Sequence, residues 1–365
     1  MHILQPIATT ENCRYCLMCR HVCPVGYVTR SETLSPHGWG LTIASVRRGL
    51  LQWNRETSEV LFSCADCGLC RAHCATDQPL PDAIAAAREE VVELKQAPPA
   101  VYRIEQALQQ WSNPYTQQQP WPVKQRGDVA LFVGDAALFL WPSALEAAQL
   151  LLSAAGVQPV LVGAGRNNGY LASSLGLRST AEALAQANLE DLQASGAGRL
   201  LVLTPGDYYT FSRLYEDRLG IAWPREIELV ELVPFLAGQL EAGALRLRRS
   251  EDTSPYAYCD PTHSARVPGR DRAPRRLLAT VLGQPGLELF WRGERAHPAG
   301  DTALQFTQPE LADQLTLARL QDAANHGAFM LISEDPGSLA HLNRHASRFA
   351  LKIQGLYELL ARHLA

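Results

Sequence analysis

The sequence predicts an α-helical, cysteine-rich domain followed by a larger α/β region whose strands run parallel. Eight of the nine cysteines fall within residues 13–74. The segments that follow the cysteines have apolar residues at the spacing typical of helices. From residue 128 onward, short β-branched apolar runs alternate with helical stretches, a pattern that indicates parallel strands joined by crossover helices.

The eight cysteines form two nests with the same C-x2-C-x2-C-x3-C spacing, CRYCLMCRHVC and CADCGLCRAHC. This is the bacterial ferredoxin spacing, in which three thiolates bind one iron–sulfur cubane and the fourth binds a second cubane. Disulfides are typical of small secreted chains, and structural zinc sites usually combine two separated C-x2-C pairs. The spacing therefore favours two [4Fe-4S] clusters. Cluster 1 would be bound by Cys13, Cys16, Cys19 and Cys74, and cluster 2 by Cys64, Cys67, Cys70 and Cys23.

The residues around the nests predict helices. Between the nests, LTIASVRRGLLQWN has apolar residues at helical spacing. After the second nest, Pro81 and Asp82 provide a helix start in PLPDAIAAAREEVVELKQA. We therefore expect an α-helical dicluster ferredoxin domain over residues 1–97. A linker over residues 98–127, rich in proline, glutamine and tryptophan, is expected to contain one short helix on the surface.

Two similar strand and helix successions make up the rest of the chain. The first has candidate strands DVALFVG, PVLVG, RLLVLT and IELVELV. The second has AYCD, LELFW, FMLIS and FALKI, with helices near residues 272–282, 308–325 and 355–363. The shared order of elements predicts an internal duplication, with one repeat over residues 128–250 and another over residues 251–365.

Composition and the N-terminal sequence bear on whether the protein binds nucleic acid, spans a membrane or is secreted. The formal net charge of −4 gives no indication of a nucleic-acid backbone as partner. No apolar run reaches the ~20 residues of a membrane-spanning helix. The N-terminal stretch MHILQPIATTENC lacks the basic start and apolar core of a secretory signal. We expect a cytoplasmic protein that reaches the inner face of a membrane only through a partner.

These features together resemble one family, which includes the iron–sulfur subunits of glycolate oxidase and of anaerobic glycerol-3-phosphate dehydrogenase, and the D subunit of heterodisulfide reductase. In that family a dicluster helical ferredoxin domain precedes two cysteine-rich CCG repeats. The stretch YCDPTHSAR resembles the family's His-Asp-Pro-Cys-His element. Asp260, Pro261, His263 and Arg266 match it, whereas Cys259 replaces the histidine and Thr262 replaces the cysteine.

The cysteines of the CCG repeats are missing from this chain. Asp135 stands at the cysteine that ends the family's first strand, and the two Cys-Pro-x-Cys elements correspond to residues 204–207 and 335–338. The CCG positions fall near VGAGRNNG and HPAGD. The remaining Cys259 cannot build a cluster alone, because an iron–sulfur centre normally needs four ligands. The resemblance therefore implies a degenerate metal site kept as a docking scaffold.

The function that the resemblance implies is electron transfer. The chain would accept electrons from an FAD-dependent dehydrogenase subunit and pass them through two [4Fe-4S] clusters to an acceptor such as quinone. A membrane or quinone-reducing subunit is a further expected partner. No catalytic residue is expected here, because the organic substrate would be oxidised on the flavoprotein.

Several alternatives stay open at this point. Cys259 with His263 as base, or the replaced CCG site, could reduce a disulfide or another small substrate, and the chain could also be a redox sensor or scaffold. Asp260, His263 and His297 could form a replacement metal site. GAGRNNG is either a dinucleotide phosphate loop or a tight turn. The arginine-rich run RVPGRDRAPRR could dock an acidic partner.

Overall fold

A computed structural model of the chain describes residues 10, 13–14, 16–118, 126–267 and 269–365. The described chain is helical up to Trp111, and we call this part the cysteine-rich half. The remainder, from Arg126 onward, is called the α/β half. The helices of the cysteine-rich half are α1 (Met18–His21), α2 (Pro24–Thr29), α3 (Pro36–Arg47), α4 (Arg55–Leu61), α5 (Leu69–Ala72), α6 (Leu80–Glu93) and α7 (Pro99–Trp111). No helix in the described part of the chain combines the length and apolar character needed to cross a bilayer.

Local sequence explains where these helices begin. Ser35 caps α3 by accepting a hydrogen bond from the Gly38 N–H, and Pro36 occupies the first turn, where its missing N–H costs nothing. Asn54 and Thr57 form a capping box at α4. Helix α6 begins at Leu80, with proline and Asp82 in its first turn, as the sequence predicts.

Helix α7 lies in the predicted linker, but it is not a surface helix on all sides. Val101, Ile104 and Leu108 are buried in the same hydrophobic cluster as the N-terminal helices and one face of the first sheet. Pro98 and Pro99 begin the helix, and Ser112 ends it in the left-handed conformation. Helix α7 is therefore packed into the core, and the division of the chain at residues 98–127 stays a prediction.

Four parallel strands form the first sheet in the described chain, in the order β2-β1-β3-β4. The strands are β1 (Val129–Gly134), β2 (Val160–Arg166), β3 (Arg199–Val202) and β4 (Glu228–Glu231). The helices that follow them are α8 (Asp135–Phe139), α9 (Pro142–Ala154), α10 (Tyr170–Ser174), α11 (Arg178–Ser195), α12 (Pro205–Tyr209), α13 (Tyr215–Asp217) and α14 (Leu232–Glu241), with a π-helix at Thr210–Leu214. The strands confirm the predicted parallel sheet.

The second sheet has three parallel strands among the described residues, in the order β5-β6-β7. They are β5 (Tyr256–Tyr258), β6 (Met330–Ser333) and β7 (Lys352–Gly355). The helices of this region are α15 (Arg272–Leu282), α16 (Leu304–Thr307), α17 (Pro309–Asn325), α18 (Pro336–His345) and α19 (Leu356–Arg362). Three of them, α15, α17 and α19, match the helices expected near residues 272–282, 308–325 and 355–363.

The predicted strand LELFW is wrong. Only Leu287 pairs with a strand, through an isolated parallel bridge to Ala257. The Asp322 carboxylate accepts hydrogen bonds from the N–H groups of Phe290 and Trp291, both at 3.1 Å. Because a side chain takes the backbone donors that a sheet ladder would need, the segment leaves the sheet after one residue.

The first sheet is buried on both faces, and each face packs against a different part of the molecule. Successive side chains of a strand point to opposite sides. In β1, Ala130 and Phe132 belong to the core shared with the N-terminal helices. Leu131 and Val133 belong to the core shared with the second sheet. The first sheet therefore lies between the cysteine-rich half and the second sheet.

Buried polar contacts join the same parts. Arg88 of α6, which is 1% exposed, donates to the carbonyl oxygens of Leu61 (2.6 Å) and Ser174 (2.6 Å). Arg270 pairs with Glu231 at the end of β4 and with Glu334 after β6. The three regions are thus connected by hydrogen bonds as well as by apolar packing.

Candidate metal centres and an acidic cleft

The structure brings the eight nest cysteines together as two groups, and each nest contributes its fourth cysteine to the other group. The first thiol group is Cys13, Cys16, Cys19 and Cys74, which line one cavity together with Cys70. The second thiol group is Cys23, Cys64, Cys67 and Cys70, which line another. Cys70 lines both cavities, and its placement in the second group follows the ferredoxin spacing. The assignment of individual thiols to individual irons stays a prediction.

The two thiol groups differ in exposure. Cys16 of the first group is exposed, and Met18 and Leu41 beside it are 52% and 40% exposed. In the second group, Cys23, Cys64 and Cys67 are buried. The first group therefore lies near solvent, and the second lies between the N-terminal helices and the α/β half.

Backbone geometry turns N–H groups toward the thiols. The Gly26 N–H donates to Cys23 Sγ, and the Asp66 N–H donates to Cys64 Sγ, both at 3.4 Å. The Gln78 N–H donates to Cys74 Sγ at the same distance. Such hydrogen bonds stabilise thiolate charge and are among the factors that tune iron–sulfur potentials. The donor set and its surroundings fit iron–sulfur ligation.

Burial shapes the acidity of these thiols. Burial raises the pKa of Cys67 to about 12 and that of Cys23 well above its ordinary value. For Cys19, burial and the neighbouring thiols Cys13, Cys74 and Cys16 raise the pKa to about 11. Thiolates that are unfavourable in isolation require positive charge close by, and bound iron supplies that charge in iron–sulfur proteins.

Asp66 lies between Cys64 and Cys67 and joins the second thiol group to the α/β half. Arg218 donates to both of its carboxylate oxygens, at 3.0 and 3.1 Å. Arg266 donates to the Asp66 carboxylate and to its carbonyl oxygen, both at 2.6 Å. Burial alone would raise the pKa of Asp66, but Arg218 and Arg266 outweigh it and hold that pKa well below the usual range. Asp66 is therefore a buried carboxylate.

The arginine-rich run is not the open basic patch that the sequence suggests. Arg266 is buried against Asp66 and Tyr209, and Arg270 is buried between two glutamates. Arg275 bonds both carboxylate oxygens of Asp260 at 2.9 Å, and Arg276 pairs with Glu241. Because these four arginines are paired within the chain, they provide little free charge for an acidic partner, whereas Arg272 of the same run is exposed.

A cleft of about 130 Å³ lies between the two sheets and is lined by four aspartates. We call it the acidic cleft after Asp135, Asp207, Asp301 and Asp335. Asp135, Asp207 and Asp335 lie just beyond the carboxyl ends of β1, β3 and β6, the edge at which parallel α/β sheets bind ligands.

Polar side chains hold these carboxylates in place. Asn167 donates to Asp135 and Asn168 donates to Asp207, each at 2.8 Å. Thr262 and Ser338 donate to Asp301, at 2.8 and 3.1 Å. The two asparagines belong to GAGRNNG, so the part of this motif that follows β2 lines the cleft.

Three of the carboxyl groups in the cleft have raised pKa values. Burial raises the pKa of Asp135 and that of Asp207 to about 6. Burial and the nearby Asp301 raise the pKa of Asp335 well above its ordinary value. The cleft therefore holds proton-donating groups close to neutral pH, which is a frequent property of functional sites.

Two aromatic side chains connect the acidic cleft with the second thiol group. The Tyr170 hydroxyl donates to the Asp66 carbonyl oxygen at 2.8 Å. The Tyr170 ring packs edge-on against His263, with 4.6 Å between ring centroids, and both side chains line the cleft. Burial lowers the pKa of His263 to about 4, so this imidazole is neutral at physiological pH. No motif in the sequence indicates Tyr170, Arg88 or Arg218.

Cys259 is a buried structural cysteine. It is 1% exposed, and Arg319 donates to its Sγ at 3.3 Å. Burial raises the pKa of the thiol, which disfavours the reactive thiolate. The reductase hypothesis based on Cys259 therefore lacks an accessible nucleophile.

The residues proposed for a replacement metal site are not brought together. Asp260 pairs with Arg275, His263 packs on Tyr170, and the His297 ring stacks on Trp291 with 3.7 Å between centroids. Within the ranges that the structure describes, no three histidine, cysteine, aspartate or glutamate side chains are placed to hold a single metal ion.

Comparison with known proteins agrees with the thiol groups. Residues 9–78 match the model of a family described as a 4Fe-4S dicluster domain. This part of the chain is an iron–sulfur segment. The match supports [4Fe-4S] binding and a part in electron transport, and it extends over the two nests but not the α/β half.

The α/β half is included in a structural likeness. A crystal structure of a hypothetical protein from Helicobacter pylori superimposes with a TM-score of 0.60 and 15% sequence identity, over 92% of this chain and 70% of the other. At that identity the likeness concerns the fold alone. Among curated proteins, none is similar enough to register as a relative.

Proposed function

We propose that this chain is an iron–sulfur electron-transfer subunit. It passes electrons from a partner flavoprotein dehydrogenase through two [4Fe-4S] clusters to an acceptor such as quinone. The observation that supports the proposal best is the arrangement of eight cysteines as two neighbouring groups of four, each completed by a cysteine from the other nest. Clusters of this type carry single electrons.

The chain would supply the ligands of the clusters, the hydrogen bonds to their sulfurs and the shielding from water. The nests supply thiolates, and the N–H groups of Gly26 and Asp66 stabilise charge on the sulfurs. The shared core with the first sheet keeps the second thiol group out of water. The partly exposed first thiol group, with Met18 and Leu41 beside it, is the side at which we propose that the FAD-dependent subunit docks.

The α/β half is proposed to descend from two CCG repeats whose cysteines have been replaced. In support, Asp135, Asp207, Thr262 and Asp335 stand at positions that correspond to family cysteines or their neighbours, and all four lie at or beside one cleft between the sheets. The resemblance to the glycolate oxidase and glycerol-3-phosphate dehydrogenase subunits belongs to the same proposal, with a cytoplasmic location at the inner face of the membrane.

An iron and sulfide determination on protein purified without oxygen tests the proposal, combined with EPR of the dithionite-reduced sample. We expect about eight irons and the spectrum of two magnetically coupled [4Fe-4S] clusters. Zinc in place of iron would refute the electron-transfer proposal, because zinc is not redox-active. Iron clearly above eight would mean that the α/β half holds a further centre.

A second candidate function is reduction of a small substrate in the acidic cleft. It is favoured by the contact chain from Asp66 through Tyr170 to His263, which leads from the second thiol group to the cleft. The weakly acidic Asp135 and Asp207 would supply protons to the reduced substrate. Turnover by the isolated chain with dithionite as electron donor would favour this function, provided that Asp135→Asn abolishes it.

A further inference from the structure

Buried arginines surround the second thiol group, and one of them lacks a carboxylate partner. Arg88 donates to the carbonyl oxygens of Leu61, Cys64 and Ser174 and to the Ser174 hydroxyl. None of its hydrogen bonds within the described chain goes to a carboxylate, although its side chain is 1% exposed. Burying a guanidinium group destabilises the fold unless a negative charge lies close by.

Arg266 presents a second cation to the same place. Its side chain is 9% exposed, and its Nε is buried with no hydrogen-bond partner. A Cβ at Gly68, within the second nest, would lie 2.6 Å from that Nε. Arg266 Nε therefore lies against Gly68, between Cys67 and Cys70, and a side chain at residue 68 would collide with it.

The carboxylates near Arg88, Arg218 and Arg266 do not neutralise all three guanidinium groups. Asp66 is shared between Arg218 and Arg266. Arg218 also bonds Asp82, which Arg71 shares. Two of the three buried guanidinium groups thus share the buried Asp66 carboxylate, and Arg88 bonds no carboxylate among the described residues. Buried positive charge therefore exceeds buried negative charge around the second thiol group, in a region of low dielectric.

The first thiol group has different surroundings. Arg14, which lines the cavity of the first thiol group, is exposed. Arg71, which lines another cavity together with Cys74, is also exposed and pairs with Asp77 and Asp82. Exposed and paired charges are screened by water and salt. The two thiol groups therefore have the same ligand type but different electrostatic environments.

We propose that Arg88 and Arg266 set the reduction potential of the iron–sulfur centre bound by the second thiol group, making it the more easily reduced of the two. Reduction adds one electron, supplied by the flavoprotein of the proposed function, and one negative charge, with no bond formed or broken. The guanidinium groups stabilise that added charge, whereas burial of the cysteines opposes it. The added electron then resides mainly on the iron–sulfur centre of the second thiol group, beside the α/β half.

Arg266 is a potential-setting residue on this view, and the inference rests on the proposed function because it requires two centres. The test is a potentiometric EPR titration of the full-length protein, purified without oxygen. We expect Arg266→Gln to lower one midpoint potential, the higher one, and to leave the other unchanged. Arg266→Lys, which keeps the charge, should shift it less. Arg276→Gln, which removes an exposed arginine paired with Glu241, should shift neither.

A variant with the opposite charge change tests the sign of the effect. Asp66→Asn removes the buried carboxylate that Arg218 and Arg266 share, so the same midpoint should rise. Equal potentials in the native protein and both variants, at unchanged iron content, would overturn the inference, as would a shift of the lower midpoint instead. Absence of a second iron–sulfur signal in the native protein would refute the proposed function itself, which is a different result from unshifted potentials.

Discussion

Arg218 bonds both carboxylate oxygens of Asp66, so a residue of the α/β half holds the cysteine loop between Cys64 and Cys67. Asp66 has a positive φ of 48°, a conformation that an aspartate adopts with little strain. The loop geometry that presents two thiols is therefore fixed from outside the cysteine-rich half.

Removing that carboxylate should destabilise the fold. In Asp66→Asn, Arg218 and Arg266 lose their shared counter-charge, and breaking a buried ion pair costs about 3–5 kcal/mol. We expect a loss of this order in the free energy of unfolding, measured by denaturant titration of the iron-loaded protein. Asp77→Asn is the matched control, because Asp77 pairs with Arg71 at the surface and its loss should cost less than about 1 kcal/mol. Equal losses in the two variants would contradict this account.

The exchange of cysteines between nests can be tested by pairing variants. We expect Cys23→Ala to abolish the same EPR signal as Cys64→Ala, and Cys74→Ala to abolish the same signal as Cys13→Ala, because these pairs line common cavities. Each variant should lose about four irons. If Cys23→Ala instead matched Cys13→Ala, each nest would bind its own centre and the exchange would be disproved.

Cys259→Ser should leave electron transfer unchanged. The thiol is buried beneath Arg319, so it contacts neither solvent nor the nest cysteines. We expect the rate of electron transfer from dithionite to a quinone analogue to match that of the native chain, with a loss of about 1–2 kcal/mol in stability. A thiol-specific reagent should fail to modify Cys259 until the protein is unfolded. A large loss of electron-transfer rate in a folded Cys259→Ser variant would show that Cys259 takes part in the reaction.

Gly176 tests the contact between α6 and the first α/β unit. Its φ is +76°, and a Cβ there would lie 2.5 Å from the carbonyl carbon of Arg88. Gly176→Ala should therefore cost the ~1–2 kcal/mol of a left-handed alanine plus the clash, about 3 kcal/mol or more in total. Gly196→Ala provides the comparison, since Gly196 has a φ of +72° with open space around it. Thermal unfolding should show the larger drop for Gly176→Ala, and similar drops would mean that the backbones separate easily.

The stability of the acidic cleft should depend on pH. The pKa of Asp207 rises from 3.8 to about 6, so the fold favours its protonated form. This contribution to stability is fully present below pH 4 and is lost as the pH rises through about 6. Asp207→Asn should therefore stabilise the protein at pH 7.5 by roughly 1–2 kcal/mol, after allowance for partial exposure, and the advantage should vanish near pH 4. A difference independent of pH would show that Asp207 titrates normally; Asp217→Asn, on an exposed surface, should have little effect at any pH.

Spacing and periodicity predict the cysteine groups and most strands, because both signals are local. The LELFW segment shows the limit: its pattern suits a strand, but Asp322, more than thirty residues away in the chain, takes its N–H groups. The arginines around the second thiol group were likewise not predictable as a set. Arg88, Arg218 and Arg266 come from three separate regions, and their burial depends on a tertiary arrangement that no local pattern records. The duplication and the domain boundaries stay predictions.

The packing of the first sheet has a consequence for protein engineering. The apolar side chains of α6, such as Ile84 and Val91, share one core with Leu171 and Leu175 of the α/β half. Excising the cysteine-rich half as a portable electron carrier would expose that surface to water and leave Arg88 without the Ser174 carbonyl. A fragment ending after α6 would therefore need a redesigned surface before it could be fused to another enzyme.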